Sequence, residues 1–112
     1  MNDEILKEIE KLDELEKDQE IINIIENLQA EQLNTEIIVG LARAYANIQK
    51  YEKAIEILKS IEYEGKNSID WNYIMGGSYY YLKDYKNSEK YFLMALELDE
   101  AEDDIKKALL NV

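Results

Sequence analysis

Residues 68–98 read SIDWNYIMGGSYYYLKDYKNSEKYFLMALEL, and residues 34–64 read NTEIIVGLARAYANIQKYEKAIEILKSIEYE. Set side by side at an offset of 34, they pair Asn34 with Ser68, Ala42 with Gly76, Tyr45 with Tyr79, Tyr51 with Tyr85 and Leu58 with Phe92. A fixed period of this length marks a stack of like units. In each copy a first apolar stripe recurs at the intervals of one helix face: Ile37, Leu41, Tyr45 and Ile48, then Trp71, Met75, Tyr79 and Leu82. After a short turn a second stripe follows: Tyr51, Ala54, Leu58 and Ile61, then Tyr85, Ser88, Phe92 and Ala95. Each copy therefore reads as a helical hairpin.

Working outward, Ile5, Ile9, Leu12, Leu15, Ile21, Ile25 and Leu28 occupy the equivalent apolar positions at an offset of 33, so a degenerate unit precedes the two clear ones. The expected organisation is one all-α domain: residues 1–34 a degenerate repeat, 35–68 and 69–101 full repeats, and 102–112 a last helix carrying Ile105, Leu109 and Leu110 on one side. That helix covers the open end of the stack. Ending on Leu-Leu-Asn-Val, without a polar cap or glycine stop, also suits a domain cut from a longer chain. Asn34 and Ser68 stand where a side-chain oxygen accepts from an unpaired backbone N–H, and Asp84 can do the same for the helix beginning at Tyr85. Lys50, the counterpart of Asp84, cannot. Gly65 follows a helical stretch where a left-handed backbone commonly ends a helix.

Composition agrees with helices and removes several function classes. The 112 residues include no proline and four glycines, which favours long uninterrupted helices. Histidine and cysteine are absent, so the usual zinc ligands, thiol nucleophiles and general bases cannot be assembled; neither an enzyme nor a cofactor-bearing protein is expected. A net charge of -12 repels phosphate backbones and anionic lipid headgroups, which speaks against nucleic-acid and membrane partners. With no long apolar run and an acidic Met-Asn-Asp-Glu start, the expected location is cytoplasmic. The Ile, Lys, Asn and Tyr bias, with Arg43 as the single arginine, is what AT-rich coding produces and suggests a bacterial source. The cluster Glu97, Asp99, Glu100, Glu102, Asp103 and Asp104 lacks the spacing and glycine of a calcium loop, and acids at a helix start are favoured by its dipole. No metal site is assigned there.

Met75, Gly76, Tyr79, Ser88, Phe92 and Ala95, and in the preceding copy Leu41, Ala42, Tyr45, Ala54, Leu58 and Ile61, resemble the tetratricopeptide repeat pattern. Small residues at 42 and 76 let paired helices cross closely, and Tyr45 and Tyr79 fill the space between hairpins. The departures are Trp71, one residue early, Ser88 in place of a small alanine, and Lys66 and Glu100 where proline is usual. The resemblance implies a right-handed superhelix of about three antiparallel hairpins with a C-terminal capping helix. It extends to small bacterial proteins of this kind, some joined to a suppressor-of-fused-like domain.

A second stripe on each first helix lies nearly opposite the core stripe. It holds Leu6, Glu10, Asp13 and Glu14, then Val39, Arg43, Ala46 and Asn47, then Tyr73, Gly77, Tyr80 and Tyr81. In the family resembled, the first helices line a concave face that binds peptides or partner proteins. The groove residues so implied are Val39, Arg43, Asn47, Asp70, Tyr73, Gly77, Tyr80 and Tyr81. The Lys, Asn and Arg clamp by which some members hold acidic tails is not matched here, and Glu36, Asp70 and the Glu10 edge favour a basic or apolar-aromatic partner. The expected role is an interaction module, an adaptor or scaffold. Alternatives are a helical-repeat module within a larger bacterial protein, and a self-associating domain or homodimer built on Leu93 and Met94, which replace Lys59 and Ser60 of the preceding copy.

Overall fold

The computed structural model describes residues 2–99 and 103–112; within them all regular structure is helical. The elements are α1 (Asn2–Glu14), α2 (Asp18–Glu26), α3 (Thr35–Asn47), α4 (Tyr51–Ser60), the single turn α5 (Glu62–Gly65), α6 (Ile69–Tyr81), α7 (Tyr85–Leu98) and α8 (Asp103–Leu110). A further 3-10 turn spans Ala30–Gln32. Glu100 and Glu102 of the acidic cluster lie outside the described residues, as do the boundary at 101 and the first residue of the expected last segment. Among the described residues no helix is long and apolar enough to cross a membrane, and no three His, Cys, Asp or Glu side chains gather to hold a metal ion.

The period is written into the backbone. Helices α3 and α6 begin at residues 35 and 69, a spacing of 34. The turns after α1, α3 and α6 are built alike. Glu16, Gln49 and Lys83 adopt left-handed backbones, with φ of 56°, 67° and 65°. The next N–H then reaches back into the helix: Lys17 donates to the Leu12 carbonyl, Lys50 to Tyr45 and Asp84 to Tyr79, each at 2.9 Å. This double-back pattern satisfies carbonyls that a helix end leaves open. The left-handed stops fall on Glu, Gln and Lys, and no glycine has a positive φ.

Gly65 consequently has a different role from the one its position suggested. It lies inside the short helical turn, and a Cβ placed on it would stand 2.3 Å from Cδ1 of Trp71. The missing side chain makes room for the indole, whose Nε1 donates to the Leu58 carbonyl at 2.8 Å. Asn34 and Ser68 cap α3 and α6 as their positions imply, accepting from Ile37 and Trp71 N–H at 2.8 and 3.3 Å. Asp84 accepts from the Asn87 side-chain amide at 2.8 Å and from Asn87 N–H at 3.2 Å, and those bonds hold its carboxyl below the usual carboxylate range; Lys50 makes no such cap.

Helix α6 packs against α3, α4 and α7. Gly76 meets Ser88 and Phe92, Tyr73 meets Phe92 and Tyr80 meets Tyr85, so α6 and α7 run in opposite directions. The close approach depends on Gly76. Ser88 donates its hydroxyl to the Gly76 carbonyl at 2.8 Å. Tyr45 touches two core clusters at once: one around Ile21, Ile22 and Ile25, the other around Ala54, Leu58 and Trp71. Its hydroxyl donates to Glu26 at 2.6 Å, which together with burial raises its pKa to about 12.

Contact on three sides also widens the buried face of α6 beyond the expected stripe. Asn72, Ile74 and Ser78 are buried alongside Trp71 and Met75. Leu82, expected inside, sits at the helix end and is exposed, as is Leu15 at the equivalent site of the first unit. In α8, Ile105 is buried under α7, but Leu110 is 86% exposed and does not share that face.

Candidate functional site

With α4 and α7 on its flanks and α3 alongside, α6 keeps one stripe uncovered, bearing Asp70, Tyr73, Gly77, Tyr80 and Tyr81. This stripe borders an open groove of about 740 Å³. Arg43, Ala46 and Asn47 of α3 form its second wall, and Asp104 and Lys107 of α8, with Asn111 just beyond that helix, its third. A smaller pocket of about 510 Å³ adjoins it, with Leu6, Ile9 and Glu10 from α1 and Glu36, Val39 and Gly40 from α3. Arg43 borders both. All eight residues singled out from the sequence line one or other of these pockets.

Their surroundings differ from simple display on an open surface. Val39, expected as a groove anchor, is only 5% exposed and belongs to the core around Ala42 and Leu58. It forms pocket floor because its short side chain does not rise above its neighbours, whereas Tyr73 in the equivalent place is 39% exposed. Arg43 and Asp70 pair at 3.3 Å, tying α3 to α6 at the junction of the pockets. Both side chains are well exposed, and such pairs contribute only about 0–1 kcal/mol. Asn47 donates to Asp18 at 3.0 Å, across to α2.

The tyrosines form an aromatic wall. Tyr81, 64% exposed, stacks on Tyr51 with centroids 5.0 Å apart and meets Tyr80 edge-on at 5.4 Å. Burial and the neighbouring Tyr81 raise the pKa of Tyr51. Tyr80 is half-buried and also packs against Tyr85 at 5.7 Å. Tyr73 leans on Phe92, centroids 5.6 Å apart. These offset and edge contacts hold the rings in place without removing their outer faces from solvent.

The adjacent glycines of α6 face opposite ways, as their two stripes imply: a Cβ on Gly76 would collide with Phe92 at 2.7 Å, while one on Gly77 meets nothing within 4 Å. Two features of the site were not anticipated. The contribution of α8 to the wall is visible only once buried Ile105 is set 34 residues after Trp71, which puts Lys107 in register with Tyr73 and Val39. Ser78 borders the larger pocket at 1% exposure, and its hydroxyl has no hydrogen-bond partner among the described residues. No family model matches the chain, and no curated protein matches it with significance.

Proposed function

We propose that this chain is a tetratricopeptide-type array, three hairpins and a closing helix wound into a right-handed superhelix, that binds a peptide or partner protein and catalyses nothing itself. The observation that carries the reading is the convergence of α1, α3, α6 and α8, the first three ended by like turns at residues 16, 49 and 83, on two adjoining pockets of which the larger is walled by aromatic rings. Repetition explains why successive first helices share a face, and exposed, braced tyrosines beside an arginine are the residue types that dominate binding hot spots. The absence of histidine and cysteine from the sequence disfavours most hydrolytic and metal chemistry. The partner is basic or apolar-aromatic, in keeping with the acidic chain, and the protein acts as an adaptor in the cytoplasm.

The test is capture from a lysate of the source organism, comparing the native chain with Tyr81→Ala/Arg43→Glu. Native-specific retention of a partner supports the reading; equal retention by both removes the groove from it. A second reading, self-association, is favoured by Leu93 and Leu98, 46% and 42% exposed on α7. Light scattering that gives a dimer mass, reduced to a monomer by Leu93→Lys, would support it.

A further inference from the structure

The two pockets differ in chemistry, and the difference defines a ligand. In the smaller one, Leu6, Ile9 and Val39 make an apolar floor below three carboxylates, Glu10, Glu36 and Asp70. Asp70 is engaged by Arg43, but Glu10 and Glu36 are exposed and form no ion pair among the described residues. A long basic side chain fits this arrangement, its methylenes on the floor and its charged head between the glutamates. The larger pocket carries one acid, Asp104, against Lys107 and the shared Arg43; the amides of Asn47, Gln49 and Asn111 stand among its lining, and ring faces flank the gap at Gly77. It suits an aromatic or large apolar side chain. At its edge, the buried and unpartnered Ser78 hydroxyl offers a hydrogen bond to a main-chain group, since buried polar groups are rarely left unpaired.

The spacing follows from α3, which runs past both pockets. Glu36 to Gly40 border the acidic one and Ala46 with Asn47 the aromatic one. Between their midpoints the helix rises about 13 Å, which an extended chain covers in about four residues.

We infer that the groove recognises a linear segment with an arginine or lysine about four residues from an aromatic side chain, the base among Glu10 and Glu36 and the ring beside Gly77 and Tyr81. This rests on the groove reading above and adds the ligand's charge and spacing to it.

The probes are fluorescein-labelled Gly/Ser peptides with one arginine and one tryptophan, their separation varied from one position to eight, in both orders. Anisotropy titrations of the full chain should show an affinity maximum near a separation of four. Replacing the peptide's arginine by glutamate should weaken binding by about tenfold, and added salt should erase part of the arginine's advantage. Glu10→Gln/Glu36→Gln should remove that advantage while keeping the tryptophan dependence. Gly77→Leu, which fills the gap without touching the core, should do the reverse. A flat spacing profile, equal binding of the glutamate peptide, or no binding of any probe overturns the inference. If the profile is flat but Gly77→Leu still weakens binding, the groove reading survives alone. If peptides bind and neither Gly77→Leu nor Tyr81→Ala weakens them, the groove reading falls as well.

Discussion

Gly76 and Gly77 allow a matched experiment, because the same change at adjacent positions of one helix should have opposite effects. Replacing glycine by alanine inside a helix removes backbone freedom from the unfolded chain and gains about 0.5–1 kcal/mol where the new methyl fits. At Gly77 it fits, since nothing lies within 4 Å of the added Cβ. At Gly76 the Cβ would stand 2.7, 2.8 and 2.9 Å from three atoms of the Phe92 ring. That ring is 3% exposed and packs with Ala95 and Ile105, so it cannot swing into solvent. Overpacking of this kind costs about 1–3 kcal/mol. The propensity gain is common to both variants and cancels in the comparison. Gly77→Ala should therefore be more stable than Gly76→Ala by about 1–3 kcal/mol, and Gly76→Leu should lie lower still. Urea unfolding followed by circular dichroism at 222 nm measures both midpoints. Two variants of equal stability, or Gly76→Ala the more stable, would refute the assigned register of α6 against α7.

Lys50→Asp should raise stability by about 0.5–2 kcal/mol, because it supplies α4 with the side-chain cap that Asp84 gives α7; an unchanged melting temperature counts against that equivalence. The Tyr45 phenol should ionise at about 12, seen as the part of the 295 nm titration that Tyr45→Phe removes. Its folded pKa exceeds the ordinary value of 10, so the stability it contributes is complete below pH 10 and lost between pH 10 and about 12; Tyr45→Phe should flatten that part of the stability profile. Tyr81→Ala/Arg43→Glu should lose the partner while keeping helicity, with a stability cost of about 0.5–1.5 kcal/mol for the Tyr51 stack. Lys53→Glu, on α4 and paired with Glu56 at 3.5 Å, should retain the partner; the opposite pattern would move the working surface to the α4 side.

Helix content and helix order were legible because they depend on local periodicity. The stripes Ile37 to Ile48 and Trp71 to Leu82 announce helices, and Asn34, Ser68 and Asp84 announce where they start. What escaped depends on neighbours distant in sequence. A Trp-to-Leu stripe identifies one buried side of α6, but α3, α4 and α7 together cover three, which buries Asn72 and Ser78 although both are polar. Gly65 reads as a helix stop in isolation, and only the position of Trp71 reveals why a side chain is excluded there. The stops themselves fall on Glu16, Gln49 and Lys83, residue types that carry no turn signal. Of the candidate site, the shared stripe was readable; the burial of Val39 and the Arg43–Asp70 pairing were not, because side-chain length and helix spacing decide them.

The groove's chemistry arises from variation on a repeated backbone. Residues 39, 73 and 107 occupy one register position and are Val, Tyr and Lys; residues 43, 77 and 111, one turn on, are Arg, Gly and Asn. Because the core positions beside them keep their apolar character, as Ile37, Trp71 and Ile105 do, the stripe can change without disturbing the stack. Each unit then presents a different side chain at a fixed pitch. Under the proposed groove reading such a surface would distinguish ligands by the order and distance of their anchors, since a base and a ring can be satisfied together only when their separation matches the distance between the two pockets along α3. Where one anchor is missing the other retains only its own share of the binding energy, so selectivity for the pair exceeds that of either pocket.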